Sequence, residues 1–575
     1  MDLHEAVALE SIPAVKIRKK EQKLEDRNFP PAADASGGEE EQTADGERNE
    51  RMKITTIACV YISSYQISLK IKELLPSKRA MREVDRVTSR LNLGRDVYEK
   101  EKIDYEKVDD LCEILNQYRK IGESYDCSEF LVYAGSTLKN AQNMIFVLEQ
   151  VRIRTGIEIR VLSNSEQRAM DYQTISALPE FPEIIQEGCT LVQVGGSSLQ
   201  VTIFDKGHMR FTQQIVLGSL RLLRTLARTR AGEENKERQI LEMVEKEMNT
   251  FRGNYGGSKK NRHVILMGEY LDGLFEDQLQ SSADLGFKAC TDKKQVMETG
   301  EFLDDLRGIY QSDLDELSGR FDFLNINNPI LYPSLVLYYG LLKELNADYV
   351  WIPGCEVTDG IAYHYALEKK VLRPAHDFDD DVLSCADEIA ERYNCHRPHI
   401  DAMEKSALAI FDATKKINGM TKRDRLLLQT AVRLHDCGKY ICMANHAEMS
   451  FHIIMSSEIL GLTHRERQVI AYAVKFNKMP LAPFEDLRDI VTMEEYVLIS
   501  KLAAILRLSN SLDRSHKQKF HECKVARKDK DLVITVSVSQ NSAWEQEKFE
   551  QQSDLFRRVF SLRPVLREKK KPGSR

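Results

Sequence analysis

Two regimes of hydrophobic patterning divide this chain. In the first, short apolar runs alternate with glycine-rich turns and amphipathic stretches. Lys53 to Leu69 reads as two β-rich runs around the small polar turn Ser63-Ser64, and Phe130 to Ala134 reads as a strand leading through Gly135-Ser136-Thr137 into a helix. Leu191-Val192-Gln193-Val194 is a buried-looking strand that enters Gly195-Gly196-Ser197-Ser198 and leaves as a second strand. Helical periodicity predicts helices over Val108 to Lys120 and Lys236 to Phe251, and Tyr338-Tyr339 with Leu335, Leu337, Leu341 and Leu342 forms a core stripe. The strand-hairpin-helix theme occurs twice, which predicts a duplicated α/β unit with any ligand in the cleft between its halves. In the second regime, residues 369–516 are dense in helical periodicity and poor in β-branched runs, which predicts a helical bundle. Strands at Lys524 to Arg527 and Leu532 to Val538, then a helix from Ala543 to Ser561, predict a small α/β tail. The basic end Arg567 to Arg575 is expected to fray. The expected parts are therefore a disordered tail (1–51), two α/β halves (52–178 and 179–368), a helical domain (369–516) and an α/β end (517–575).

Composition changes this picture only at the margins. A chain of 575 residues with 30% charged residues is long enough for several globular domains. No apolar run approaches the length of a membrane span, and Met1 to Val15 lacks the basic leader and apolar core of a secretory signal. The 11 cysteines contain no Cys-x-x-Cys pair, which points to reduced thiols and a cytoplasmic location. A net charge of −7 gives no global attraction to polyanions, so polyphosphate needs a local basic channel and DNA is not an expected partner. Ile17 to Arg51 is too polar to bury a core, and is expected to be a flexible tail or to precede a misjudged translation start at Met52.

Candidate chemistry starts at the glycine pair. Adjacent glycines let backbone N–H groups close on an anion, and Ser197 and Ser198 can add donors, although an ordinary hairpin has the same local wording. Taken in order, Lys53–Leu69, Phe130–Asn143, Thr155–Glu166 and Leu191–Gln200 resemble the Ppx/GppA family of exopolyphosphatases and guanosine pentaphosphate phosphohydrolases. Matches at Val216–Leu222 and Ile352–Gly360 extend the resemblance over about Met52 to Phe560. It implies a duplicated actin-like α/β fold of the sugar kinase and Hsp70 type, followed by an all-α HD-like domain and the small α/β tail. It also implies a cytoplasmic homodimer, magnesium or manganese as cofactor, and polyphosphate or a guanosine polyphosphate or nucleotide as ligand. On this resemblance the phosphate-binding positions are Ser63, Ser64, Ser136, Gly195, Gly196, Ser197, Ser198 and Gly218.

The departures from the family pattern bear on chemistry. Its first-loop Asp and Gly are Cys59 and Tyr61 here, and its proposed catalytic Glu falls on Asn140, which has no basic site to take a proton from water. In the glycine loop the leading Asp is Gln193, the third Gly is Ser197 and the closing Glu is Gln200. Met267-Gly268-Glu269 replaces a Gly-Gly-Thr loop, and two arginines are replaced by Asn92 and Thr358. Glu166 is the clearest surviving acid, and a different acidic cluster of Glu166, Asp96 and Asp110 stays open. General acid–base assistance alone is worth roughly 10²- to 10⁴-fold in rate, so the cleft is expected to be a poor phosphohydrolase.

A second motif, Arg433-Leu434-His435-Asp436-Cys437-Gly438-Lys439, resembles the HD phosphohydrolase signature, with His399 on a separate helix. His399, His435 and Asp436 are the candidate metal ligands, and a bound metal would activate water. The closing Asp of that signature falls on Asn510 and a later His on Asn477, while His446 and His452 lie near in sequence. A His-Asp pair also serves as a hydrogen-bonded structural pair. Arg221, Arg224, Arg228 and Arg230 recur at helical spacing as a solvated face or a contact for a polyanion. Two classes remain: a binding or regulatory protein on this scaffold, or a working phosphohydrolase with a rearranged acidic site or the His/Asp pair.

Overall fold

The computed structural model describes residues 54–229, 233–255, 261–268, 271, 296–311, 330–538 and 540–570; the expectations for the first 51 residues, Arg230 and Glu269 fall outside them. The chain opens with β1 (Thr55–Ile62), β2 (Gln66–Leu75) and β3 (Ala80–Arg90), a meander whose outer strand alternates half-buried and exposed positions along most of its length. Helices α1 (Leu93–Lys100) and α2 (Tyr105–Ser124) lead to β4 (Glu129–Ala134), and α3 (Ser136–Lys139) and α4 (Met144–Thr155) to β5 (Arg160–Val161). The sheet order is β3-β2-β1-β4-β5, with β4 parallel to β1 and β2 antiparallel to it. β1 is central and buried on both faces, so it reads as a nearly continuous apolar run rather than an alternating one.

Helices α5 (Asn164–Ser176) and α6 (Phe181–Glu187) carry the chain to a second sheet, beginning with β6 (Cys189–Val194), β7 (Leu199–Asp205) and β8 (His208–Ile215). After α7 (Ser219–Thr229) and α8 (Glu233–Tyr255) come β9 (His263–Gly268), β10 (Val296–Glu298), α9 (Thr299–Gln311), α10 (Leu331–Leu345) and β11 (Tyr349–Trp351). Its order is β10-β11-β9-β6-β7-β8, with every residue of β6 buried at the centre. Tyr338, Leu335, Leu337, Leu341 and Leu342 on α10 lie in its core, as the apolar stripe predicts. Helix α11 (Val357–Glu368) then returns to the first sheet, where Ile361, Ala362 and Ala366 pack with Ile57 and Cys59.

The remainder is helical: α12 (Phe378–Arg392), α13 (Arg397–Asn418), α14 (Lys422–Leu434), a 3-10 turn at Cys437–Tyr440, α15 (His446–Ser456), α16 (His464–Lys478) and α17 (Met493–Leu512). A three-stranded sheet, β12 (Phe520–Lys528), β13 (Asp531–Val538) and β14 (Arg563–Lys570), follows, with α18 (Ala543–Phe560) between its last two strands. Leu532, Ile534, Val536 and Phe556 share one core with Leu428, Ile470 and Leu506, so helices and small sheet pack as a unit. The expectation of a frayed end from Arg567 is corrected up to Lys570. Arg563–Lys570 pairs in parallel with β13 along its whole length, an edge strand whose basic residues suit an unpaired outer edge. The helical part docks on the second sheet through Tyr172, Phe181, Phe204, His376 and Phe378, with ring centroids 5.4–6.1 Å apart. Within this cluster the Tyr172 hydroxyl donates to Asp381 at 2.5 Å.

Candidate functional site

At the glycine loop, β6 ends against the start of α7. The Gly195 N–H donates to the Ser198 carbonyl at 3.0 Å, and the Gly196 carbonyl accepts from the amides of Leu220 (2.9 Å) and Arg221 (3.1 Å). A side chain on Gly218 would lie 2.5 Å from the Gly195 oxygen and 2.6 Å from both the Gly196 oxygen and the Ser198 nitrogen, so only glycine allows this approach. The α7 amides, which would otherwise attract an anion, are thereby occupied by loop carbonyls. Ser198 Oγ accepts from Arg168 (3.1 Å) and Gln214 (2.9 Å). Arg168, on α5, is the cationic group that sequence reasoning missed: its signal lies two residues after Glu166, but only the fold brings it to the loop. Its guanidinium is pulled below its ordinary range by burial, which Glu458 and Asp171 only partly offset.

The other positions predicted for this site are tied into local structure. Ser63 Oγ accepts from the amides of Tyr65 (3.2 Å) and Gln66 (3.1 Å), closing the β1–β2 turn, and the Ser64 carbonyl accepts from Gly94. Ser136 starts α3, and Ser197 sits at the hairpin tip. Glu166 forms the capping box of α5, its carboxylate accepting from the Ser163 amide (2.9 Å) and hydroxyl (2.8 Å) and lying 3.3 Å from Arg160. Burial raises this carboxyl, but the Ser163 bonds and Arg160 outweigh it and hold the group ionised below its usual range. Asn140 is exposed, Asn92 caps α1, Asp110 is exposed, and Asp96 accepts from Lys107 at 3.0 Å.

Neutral groups fill the buried polar positions of the second sheet. Gln200 donates to Thr212 at 2.5 Å, Thr212 shares a hydrogen bond with Thr202 at 2.8 Å, and Gln193 donates to Asp171 at 3.5 Å. Cys59 is fully buried among Ile57, Leu162 and Met170, and burial pushes its thiol far up, so it carries no thiolate for a metal. Beside it, Asp359 is clamped by Lys70 (2.8 Å) and Lys72 (2.6 Å), with Glu83 and Glu356 completing the network. Burial pushes the Asp359 carboxyl up, yet the two ammonium groups prevail and bring it to about 2.

A different group of residues converges in the helical part. His399 begins α13, while His435 and Asp436 follow the end of α14; all three are buried. One ligand atom from each lies within 4.8 Å of the others, the single such His/Cys/Asp/Glu group among the described residues. Their hydrogen bonds set the tautomers. His399 Nδ1 lies 2.8 Å from Asp513, a carboxylate held below its usual range by His399 and Gln518 against the effect of burial, so Nδ1 donates. His435 Nδ1 donates to the Val432 carbonyl at 2.7 Å. Both Nε2 atoms are left as buried acceptors without a partner, as is Asp436 Oδ1. His435 Nε2 lies 3.3 Å from Asp436 Oδ2 without the alignment of a hydrogen bond.

Burial raises the Asp436 carboxyl, while the ammonium groups of Lys478 and Lys439 favour its ionised form. His516 stacks flat on His399 with centroids 3.7 Å apart, and burial, His399 and Lys439 bring its imidazole down to about 4. Asn510 donates to Asn477 at 3.4 Å, leaving Asn510 Oδ1 and Asn477 Nδ2 buried without partners. His446 also has an unpartnered Nε2, whereas His452 is exposed beside Glu448. Sequence spacing pointed to His399, His435 and Asp436 and set Asp513 aside as needing a helical shift, but missed His516, Lys478 and Arg514, whose approach depends on where α16 and α17 end.

Residues 71–273 match the family described as Ppx/GppA phosphatase family, and residues 383–557 match Ppx/GppA phosphatase, domain III. Exopolyphosphatase 1 of Mycobacterium tuberculosis, and likewise of Mycobacterium bovis, is 27% identical over 124 residues, or 21% of this chain. That alignment spans about a third, 35%, of the length of these curated relatives. Among solved structures, an exopolyphosphatase from Cytophaga hutchinsonii is similar over 56% of this chain and 100% of its own, at 13% identity and a TM-score of 0.46. A Ppx/GppA family member from Aquifex aeolicus is similar over 55% and 99%, at 16% identity and a TM-score of 0.44.

Proposed function

From the premise that this chain belongs to the Ppx/GppA phosphatase family, we propose that it is an exopolyphosphatase-like protein whose α/β cleft binds polyphosphate or a guanosine polyphosphate with little hydrolysis. One observation carries this reading: Gln193 and Gln200 hold neutral amides at the cleft positions, bonded to Asp171 and Thr212, while two of the nearby acids are already committed. Glu166 caps α5, and Asp359 is neutralised by Lys70 and Lys72. Magnesium or manganese fits such a set poorly, since hard cations need several ionised oxygen ligands and the substituted positions offer a thiol and amides, with Asp171 the buried carboxylate beside Gln193. Arg168 beside the Gly195-Gly196 loop supports anion binding without supplying a base.

The test is phosphate release from long-chain polyphosphate and guanosine pentaphosphate with magnesium or manganese, for the full chain and for Glu166→Gln, Arg168→Met and His435→Ala. The expected result is no release traceable to the cleft, with polyphosphate binding weakened in Arg168→Met. Metal-dependent release abolished by Glu166→Gln would overturn the reading. Light scattering of the same preparation tests the homodimer that the family resemblance implies.

A second reading concerns the HD-like helical part. The unpartnered Nε2 atoms of His399 and His435 and the free Asp436 Oδ1 favour a divalent metal there, because three buried acceptors facing one another need a cation. Asp513 and the Val432 carbonyl hold the imidazoles in the ligating tautomer. A metal on these residues would polarise water or a phosphoryl oxygen. Release retained in Glu166→Gln and lost in His435→Ala is the signature of this alternative.

A further inference from the structure

The surroundings of His399, His435 and Asp436 hold more positive charge than their carboxylates balance. Lys439 pairs with Asp436, and Asp513 is engaged by His399 and Gln518. Lys478, the last residue of α16, and Arg514, just beyond α17, are only partly exposed. Neither has an ion pair or hydrogen bond to another described residue; Arg514 lies over the Trp544 ring at 6.0 Å and its Nε is buried without an acceptor. Several other buried or half-buried cations have carboxylates, Lys70 and Lys72 having Asp359, Arg433 having Asp387 and Glu404, and Lys519 having Glu545, while Arg507 has two backbone carbonyls. Nor is Lys478 needed to cap α16, because Arg507 donates to the Phe476 carbonyl at 2.7 Å and also to that of Met479.

Partly buried cations with too few counter-charges are costly, Lys478 sharing Asp436 with Lys439, and a divalent metal beside them adds to the imbalance. An anion with several oxygens resolves it, one oxygen meeting the metal while others meet the ammonium and guanidinium. We propose that the helical domain holds a metal–phosphate site, with a divalent metal on His399, His435 and Asp436 and a phosphate group on Lys478 and Arg514. The phosphate is free or is the terminal group of a phosphate chain. This deepens the second reading above and rests on its metal. The ammonium of Lys478, pushed down to about 8 by burial, with Arg514 and Lys439 adding to the push against the pull of Asp436, lies in a field that an anion would relieve.

The experiment uses the full chain, wild type and as His435→Ala, Lys478→Met and Arg514→Met. Manganese binding is measured by electron paramagnetic resonance. Phosphate proximity is read from manganese-induced broadening of the phosphorus-31 signals of inorganic phosphate and, separately, tripolyphosphate. The expected result is one manganese site per chain, lost in His435→Ala, with phosphate broadened in the wild type. Lys478→Met and Arg514→Met should keep the metal and each weaken phosphate binding about tenfold or more. Broadening of inorganic phosphate marks the free anion as sufficient; broadening of tripolyphosphate alone marks a chain end. Manganese bound with neither probe broadened, or with broadening unchanged in both cation variants, overturns the phosphate site and leaves the metal reading standing. No manganese bound, or manganese retained in His435→Ala, overturns both.

Discussion

Replacing Asp359 with Asn tests whether the acid nearest Cys59 is a structural counter-ion rather than a catalytic group. Lys70, Lys72 and Arg86 on β2 and β3 face Asp359, Glu356 and Glu83, three charges of each sign in a largely buried network. In Asp359→Asn both lysines must share Glu83, which is 34% exposed, and the weaker contact of Lys70 with Glu356 at 3.5 Å. Breaking a buried pair by removing one partner costs about 3–5 kcal/mol, and the remaining glutamates moderate that. The carboxyl itself gives a second measure: it titrates at about 2 against an ordinary 3.8, or about 2–3 kcal/mol at 1.36 kcal/mol per unit. Because the folded value is depressed, this stabilisation is fully present above the unfolded pKa and is lost as pH falls from about 4 towards 2. Hydrogen exchange of the β1–β2 amides at pH 7 should therefore quicken by roughly 50- to 100-fold in Asp359→Asn. The gap in stability between variant and wild type should close as pH approaches 2. A change below about threefold at pH 7, or a gap that does not depend on pH, would refute the assignment of Asp359 to the Lys70–Lys72 clamp.

Three further outcomes follow from the same structure. Glu166→Ala removes one half of the α5 capping box and should cost about 1 kcal/mol in thermal unfolding while leaving polyphosphate binding unchanged. Gly218→Ala forces a methyl group against the Gly195 and Gly196 carbonyls, costing about 1–3 kcal/mol and weakening polyphosphate binding; Gly300→Ala, with open space around it on α9, should leave binding untouched as a control. His376 lies 2.8 Å from Asp381 at the docking face of the helical part; burial lowers its pKa, but Asp381 outweighs that and raises it. Its contribution to stability is thus full below the unfolded histidine pKa and is lost as pH rises through the folded value, so the melting temperature difference between wild type and His376→Ala should be larger at pH 5.5 than at pH 8.5.

What sequence made legible was mainly local. The apolar runs around Cys59 and Val192 became central strands, and the predicted helices at Val108, Lys236 and Ala543 lie within Tyr105–Ser124, Glu233–Tyr255 and, to within a residue, Ala543–Phe560. The glycine pair was legible because two adjacent glycines after an apolar strand demand a close approach, which Gly218 supplies. Less legible were features made by distant partners. β14 looks like a basic tail in isolation, and only its pairing with β13 gives Val565 and Leu566 a place beside Val533 and Ile534. The fate of Glu166 was open for a similar reason: Ser163, three residues earlier, gives the spacing of a capping box as readily as a surviving acid gives a catalytic role. His516 had no spacing that linked it to His399, and Asp513, three residues past the closing position Asn510, needed a helical shift to serve as a ligand; both meet His399 only because α17 ends where α13 begins.

Amides at the positions of Gln193 and Gln200 are compatible with an intact sheet for a physical reason. A cluster of carboxylates without metal is held against mutual repulsion, whereas Gln200, Thr202 and Thr212 form a neutral hydrogen-bonded row and Asp359 has two lysines. Such exchanges leave the strands packed while lowering the affinity for a cation. The helical cluster has the opposite character: His399, His435 and Asp436 keep acceptors facing one another, with no internal hydrogen bond to satisfy them. Nothing in the packing requires that arrangement, because an apolar triplet of similar volume would fill the same space at lower desolvation cost. In the helical part the unsatisfied groups are two imidazole nitrogens and a carboxylate oxygen that face one another, which a cation and its phosphate ligand would satisfy, whereas Gln193 and Gln200 place amides where a hydrolytic centre would need ionised groups. That distribution makes the helical domain the place to look for metal-dependent chemistry, and the α/β cleft the place to look for binding alone.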